Sequence, residues 1–81
     1  MTQDEIRQRA RASLARVLKV APETIGDNAS QTELSDWDSV RHMNVVLALE
    51  NDFDIQFDDA ELPKLTSLPM LVQAVERHVG G

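Results

Sequence analysis

Along the first twenty residues Ile6, Ala10, Leu14, Val17 and Leu18 recur at helical spacing with Arg and Gln between them, which predicts a surface helix with one buried stripe. Thr2 stands three positions before Glu5, the arrangement of a capping box. Ala21-Pro22 closes this first segment, because the residue before a proline resists the helical basin. From Pro22 to Asp38 the periodicity lapses. Gly26-Asp27-Asn28 and Ser30 are turn formers, and Ile25 and Leu34 are the apolar residues expected to pin a long loop to the core. A second helix follows from about Ser39 to Asp52, with Met43, Val46, Leu49 and Phe53 as its expected core stripe and Val45 flanking it. Val40 and Leu47 lie beyond that stripe, so part of this wide apolar face is expected to stay exposed for a partner.

After Asp54 the Ile55-Phe57 alternation is too short to define a strand, and Asp58 opens a brief helix or turn expected to end at Pro63. Thr66 or Ser67 can cap a final helix that tolerates Pro69 in its first turn, buries Leu68, Leu71, Val75 and Val79, and ends at Gly80-Gly81. No repeat or low-complexity tract breaks the pattern. The expected fold is all-α: a small bundle of three main helices plus one short helix, with a long loop between helices one and two, in a single domain over residues 1–81.

Composition narrows the function classes. A chain of 81 residues builds one modest core, with a stability margin at the low end of roughly 5–15 kcal/mol. A core of this size suits a monomeric binding or carrier module better than an enzyme with a deep cavity. Eight basic against fourteen acidic residues give a net charge of −6, which argues against nucleic acid or an anionic membrane surface as partner. The charge is uneven: Arg7, Arg9, Arg11, Arg16 and Lys19 lie in the first helix, whereas residues 21–38 hold five acids and no base. A partner meeting the acidic stretches should offer Lys and Arg. There is no cysteine, and so neither a disulfide nor a thiolate metal site. Met1 is followed by polar residues rather than by an apolar leader, and no stretch approaches the length of a membrane span, which points to the cytoplasm.

The candidate chemistry lies at Asp38-Ser39-Val40, where the polar loop becomes the second helix. A serine hydroxyl in a first helical turn is exposed, and a phosphodiester built on it sits near unpaired backbone N–H groups and the positive end of the helix dipole. The bland reading is that Asp38 or Ser39 merely caps the helix, and the two readings are compatible if Asp38 caps and Ser39 stands one position inside. The run Leu34-Ser35-Asp36-Trp37-Asp38-Ser39-Val40, followed by Met43 to Phe53, with Leu47-Ala48-Leu49-Glu50 and Phe53-Asp54-Ile55 closing helix two, resembles the acyl carrier protein family from end to end.

The resemblance implies that Ser39 carries 4′-phosphopantetheine, transferred from coenzyme A by a separate phosphopantetheinyl transferase with Mg²⁺ held in that enzyme, and that Asp38 is its motif partner. It further implies a non-catalytic protein whose arm bears acyl or aminoacyl groups as thioesters, loaded by a ligase and passed to downstream biosynthetic enzymes that dock near Trp37, Val40, Arg41 and Leu47. Arg41, His42 and Asn44 stand where many fatty-acid carriers have acidic residues, and Trp37 replaces a common glycine. Both departures look more like specialised carriers than like those of bulk fatty-acid synthesis. Trp37 can equally be a packing residue just outside the helix. An unmodified helical adaptor using the Val40 and Leu47 surface is the competing class, and Ser39 discriminates the two. A hydrolase built from Ser39, His42 and Asp38 has neither an evident oxyanion donor nor an orienting shell. The carboxylates of Glu50, Asp54 and Asp58 could relieve their repulsion on a hard cation, but no EF-hand spacing or central glycine accompanies them, and no metal site is assigned.

Overall fold

The capping box expected at Thr2 starts the first helix. In the computed structural model, which describes residues 2–79, Thr2 Oγ1 accepts from the Glu5 N–H at 3.2 Å while Glu5 Oε1 accepts from the Thr2 N–H at 3.4 Å. Helix α1 (Gln3–Leu18) then buries Ile6, Ala10, Ser13, Leu14, Ala15 and Leu18, with Val17 only half-buried. It ends before Ala21-Pro22. Lys19 takes a left-handed conformation at φ 60° and donates its N–H to the Ala15 carbonyl, so the helix is closed before proline can act. Pro22 instead opens a 3₁₀ turn, Pro22–Thr24.

The following loop is held by more of its own residues than Ile25 and Leu34. Ile25, Ala29 and Trp37 are buried, and Leu34 packs half-buried against them. Backbone bonds fasten the loop to the start of the last helix: Leu68 donates to the Ala29 carbonyl at 2.7 Å, and Gln31 to the Thr66 carbonyl at 2.9 Å. The first of these bonds satisfies the carbonyl of buried Ala29 and the N–H of buried Leu68, which have little access to water.

Helix α2 (Ser39–Phe53) buries Val45, Val46, Leu49 and Phe53. Met43, expected in that stripe, is 47% exposed. The helix is rotated so that His42 begins the inward row, while Val40, Met43 and Leu47, spaced three and four apart, share the solvent side. Asp54, left-handed at φ 55°, ends it. The short fourth element is a single 3₁₀ turn, Leu62–Lys64, with Pro63 inside it rather than at its end, and Phe57 and Leu65 are buried on either side. Ser67, not Thr66, caps helix α3 (Leu68–Val79): its Oγ accepts from the Met70 N–H at 3.3 Å. Leu68, Leu71, Val72, Ala74 and Val75 are its buried residues, and Val79 is half-buried. The expected stop at Gly80-Gly81 lies outside the described residues.

Helix α1 packs against both of the other helices, which meet one another over a smaller area. Its one buried polar side chain, Ser13, donates its hydroxyl to the Asp52 carboxylate at the end of α2. Arg16 reaches the same carboxylate at 3.0 Å, and Arg9 reaches the Asp52 carbonyl at 2.7 Å while lying 4.7 Å from the centre of the Phe53 ring. The Ser13 hydrogen bond above all, with Arg16 and Arg9 behind it, holds the Asp52 carboxyl below its ordinary range against the opposing effect of burial.

Candidate functional site

The site is built around the start of α2. Asp38 is the N-cap in extended conformation, and its Oδ1 accepts from the Arg41 N–H at 2.9 Å. The Asp38 carbonyl accepts the next helical N–H, that of His42, also at 2.9 Å. The His42 bond is the first of the intrahelical series, so the Asp38 carboxylate satisfies one of the four orphan donors, and the first-turn N–H groups of Ser39 and Val40 remain directed out of the helix end. Ser39 occupies the first helical position and is exposed. Arg41 Nη1 lies 3.4 Å from Asp38 Oδ2 and donates to the Asp36 carbonyl at 3.2 Å, so a cation offsets the carboxylate beside Ser39. An exposed hydroxyl, outward N–H groups and a neutralised neighbour fit the attachment of a phosphodiester at this position.

Val40 is 76% exposed and Leu47 54%, and Met43 joins them in a continuous apolar stripe. Periodicity does not place Met43 on this exposed side, because hydrophobicity alone favours it over His42 for the inward row. For Trp37 the docking role gives way to the packing role that the sequence leaves equally open. Trp37 is 2% exposed, so its ring belongs to the core and offers no docking surface. Its indole Nε1–H donates to His42 Nδ1 at 3.1 Å, and His42 Nε2 lies 2.8 Å from the Leu62 carbonyl. Both ring nitrogens of His42 are thereby engaged away from Ser39, and the Asp38 carboxylate faces Arg41, so the arrangement required of a Ser-His-Asp hydrolase is not formed.

Several acids are paired within the chain. Asp27 pairs with Arg11, Asp52 with Arg16, and Glu61 with Arg77 at 3.1 Å. Glu50 accepts from the Phe57 N–H at 2.9 Å, which removes it from the carboxylate trio considered with Asp54 and Asp58. Among the described residues no group of three or more His, Cys, Asp or Glu side chains is placed to hold a metal ion. No helix among them is long and apolar enough to cross a membrane. A cleft of about 270 Å³, lined by Arg7, Asp27 and Gln73 among others, does not touch Ser39.

The family model described as the phosphopantetheine attachment site matches residues 8–75. The chain is 30% identical over 79 residues to an acyl carrier protein of Thermosynechococcus vestitus, covering 98% of each. It is 27% identical to an acyl carrier protein of Cyanidioschyzon merolae, covering 96% of this chain and 86% of the relative. Its fold is similar to the solution structure of a holo acyl carrier protein from Geobacter metallireducens, with a TM-score of 0.80 at 24% identity over 91% of this chain and 85% of that one. A mupirocin didomain carrier gives 0.75 at 23% identity, covering 98% of this chain and 43% of the other. Fold, site and similarity together define a phosphopantetheine-bearing domain, which is a carrier and not an enzyme. The chain belongs to the acyl carrier protein family, whose prosthetic group is covalent 4′-phosphopantetheine. Its general partners are phosphopantetheinyl transferases and acyl-handling enzymes.

Proposed function

We propose that Ser39 is the attachment residue and that the domain, residues 1–81, works as a cytoplasmic monomer delivering acyl or aminoacyl groups in a specialised biosynthetic pathway. The observation that carries the reading is the exposed Ser39 hydroxyl at the first position of α2, directly after its Asp38 cap, within the matched family segment. In the transferase complex Ser39 Oγ bonds to the pantetheine-side phosphorus of coenzyme A. The pyrophosphate P–O bond breaks, adenosine 3′,5′-bisphosphate leaves, and the hydroxyl proton passes to a base of the transferase. The attached arm supplies a terminal thiol for a thioester, which a chain without cysteine lacks.

The side chains of Asp38 and Arg41 hold the helix start, while Val40, Met43 and Leu47 offer a docking face beside the attachment point. Tethering raises the local concentration of cargo at each docked enzyme, so weak and reversible docking is sufficient. A loading ligase and downstream biosynthetic enzymes are the proposed partners. The absence of acidic residues from Ser39 to Leu49 supports a partner set different from one that reads carboxylates on this helix.

Intact mass after incubation with coenzyme A, Mg²⁺ and a broad-specificity phosphopantetheinyl transferase tests the assignment. The parent is expected to gain one phosphopantetheine and Ser39→Ala none. A folded parent that gains nothing, beside a control carrier that does, would favour the unmodified adaptor.

A further inference from the structure

Two bonds at His42 leave one arrangement of its protons. The Trp37 indole N–H can only donate, and it lies 3.1 Å from His42 Nδ1; the Leu62 carbonyl can only accept, and it lies 2.8 Å from Nε2. The ring that satisfies both is neutral, accepts at Nδ1 and carries its proton on Nε2. The other tautomer and the imidazolium each put a proton on Nδ1, against the Trp37 donor.

These residues stand just before the cap and at the fourth helical position, where two apolar side chains commonly fix the angle at which the chain enters a helix. Here the fastening is polar and has a third anchor. Trp37 is buried, its ring 6.0 Å from that of His42, and its N–H needs an acceptor inside the protein. Leu62 comes from the 3₁₀ turn twenty residues further on, so His42 joins the loop before Ser39 to the segment leading into α3. Ser39 lies between the two fastened residues.

We propose that His42 is a positioning residue for the modification of Ser39: by holding Trp37 on one side and Leu62 on the other, it sets the direction in which the Ser39 hydroxyl leaves the first turn of α2. This rests on Ser39 being the attachment residue. The docking stripe of Val40, Met43 and Leu47 lies on the solvent side of α2, away from the His42 ring. Loss of the fastening therefore acts on the transfer step and leaves docking intact.

The test is loading by a broad-specificity phosphopantetheinyl transferase with coenzyme A and Mg²⁺, followed by intact mass, on the parent, His42→Ala, His42→Gln and Trp37→Phe. His42→Ala is expected to lower kcat roughly tenfold or more while KM stays within about twofold, the pattern of a misplaced reacting group rather than a lost docking contact. His42→Gln, whose amide can accept from Trp37 and donate to Leu62, is expected to recover most of the rate. Trp37→Phe keeps a ring, removes the donor and is expected to lower kcat in the same direction. Two-bond ¹H–¹⁵N spectra of the parent should show Nδ1 unprotonated and Nε2 protonated. Folded His42→Ala loading at the parental kcat would overturn the role, as would a protonated Nδ1 in the parent. If His42→Ala does not fold, Trp37→Phe and the parental spectrum decide. A parent that is never loaded sinks the attachment reading and this role together, whereas a loaded parent matched by folded His42→Ala sinks this role alone.

Discussion

Ser39 owes its position to the residue before it. Asp38 holds the Arg41 N–H with its carboxylate and the His42 N–H with its carbonyl, so the helix begins one residue later, at the serine. Replacing Asp38 by Ala is expected to cost about 1 kcal/mol, the usual loss for a capping oxygen, whereas Asp38→Asn retains most of it. Ser39→Ala should stay within about 0.5 kcal/mol of the parent, because an exposed first-turn hydroxyl packs against nothing. Urea midpoints of the three variants check the order; equal midpoints for Asp38→Ala and the parent would show that the cap does not hold the helix. Caps were legible in the sequence because they are local chemistry, as Thr2 with Glu5 and Asp38 with Arg41 show. Met43 was not, and for Trp37 packing beside the helix start and docking were equally legible. His42 can face inward in place of the more apolar Met43 only because Trp37 and the distant Leu62 carbonyl satisfy its ring, and no periodicity reports a partner twenty residues away.

Among the elements, the segment between α2 and α3 was the least legible, since residues 55–67 are too few and too mixed to show a period. Its shape depends on Glu61. That carboxylate accepts from the Asp58 N–H at 2.8 Å, His78 Nε2 lies 3.0 Å from it and Arg77 Nη2 3.1 Å. The Asp58 backbone bond first, then His78 and Arg77, hold its carboxyl at about 2, below the usual 4.5, against the opposing effect of burial. A carboxyl whose folded value is depressed contributes stability above its unfolded value and loses it as the pH falls through the folded one. The contribution of Glu61 is therefore complete above pH 4.5 and disappears towards pH 2. Glu61→Gln is expected to lower the urea midpoint at about pH 6 and to shrink the further fall between about pH 6 and pH 3. Some slope should survive, because Asp52 is depressed in the same sense by Ser13 and Arg16. Parallel pH profiles for parent and variant would remove Glu61 as the origin.

At the scale of the whole molecule, the uneven charge visible in the sequence proves to be partly internal. Arg7, Arg11 and Arg16 of α1 meet the carboxylates of Asp4, Asp27 and Asp52, so the basic helix serves the fold by neutralising its own acidic surroundings. On α2, by contrast, the side next to Ser39 presents Val40, Met43 and Leu47, with Arg41 partnered by Asp38. The net charge of −6 gives a long-range attraction to a basic partner, but the contact offered beside the attachment point is apolar. Salt screens the first and leaves the second largely intact, so KM for the transferase is expected to change less than about threefold between roughly 0.05 and 0.5 M NaCl. Leu47→Asp removes apolar area from the same contact, of which a fully buried leucine is worth roughly 1.5–3 kcal/mol. It is expected to raise KM about tenfold with the helix content unchanged. A KM that climbs steeply with salt and ignores Leu47→Asp would instead place docking on the exposed carboxylates of the loop, where Glu33 and Asp36 stand before Ser39.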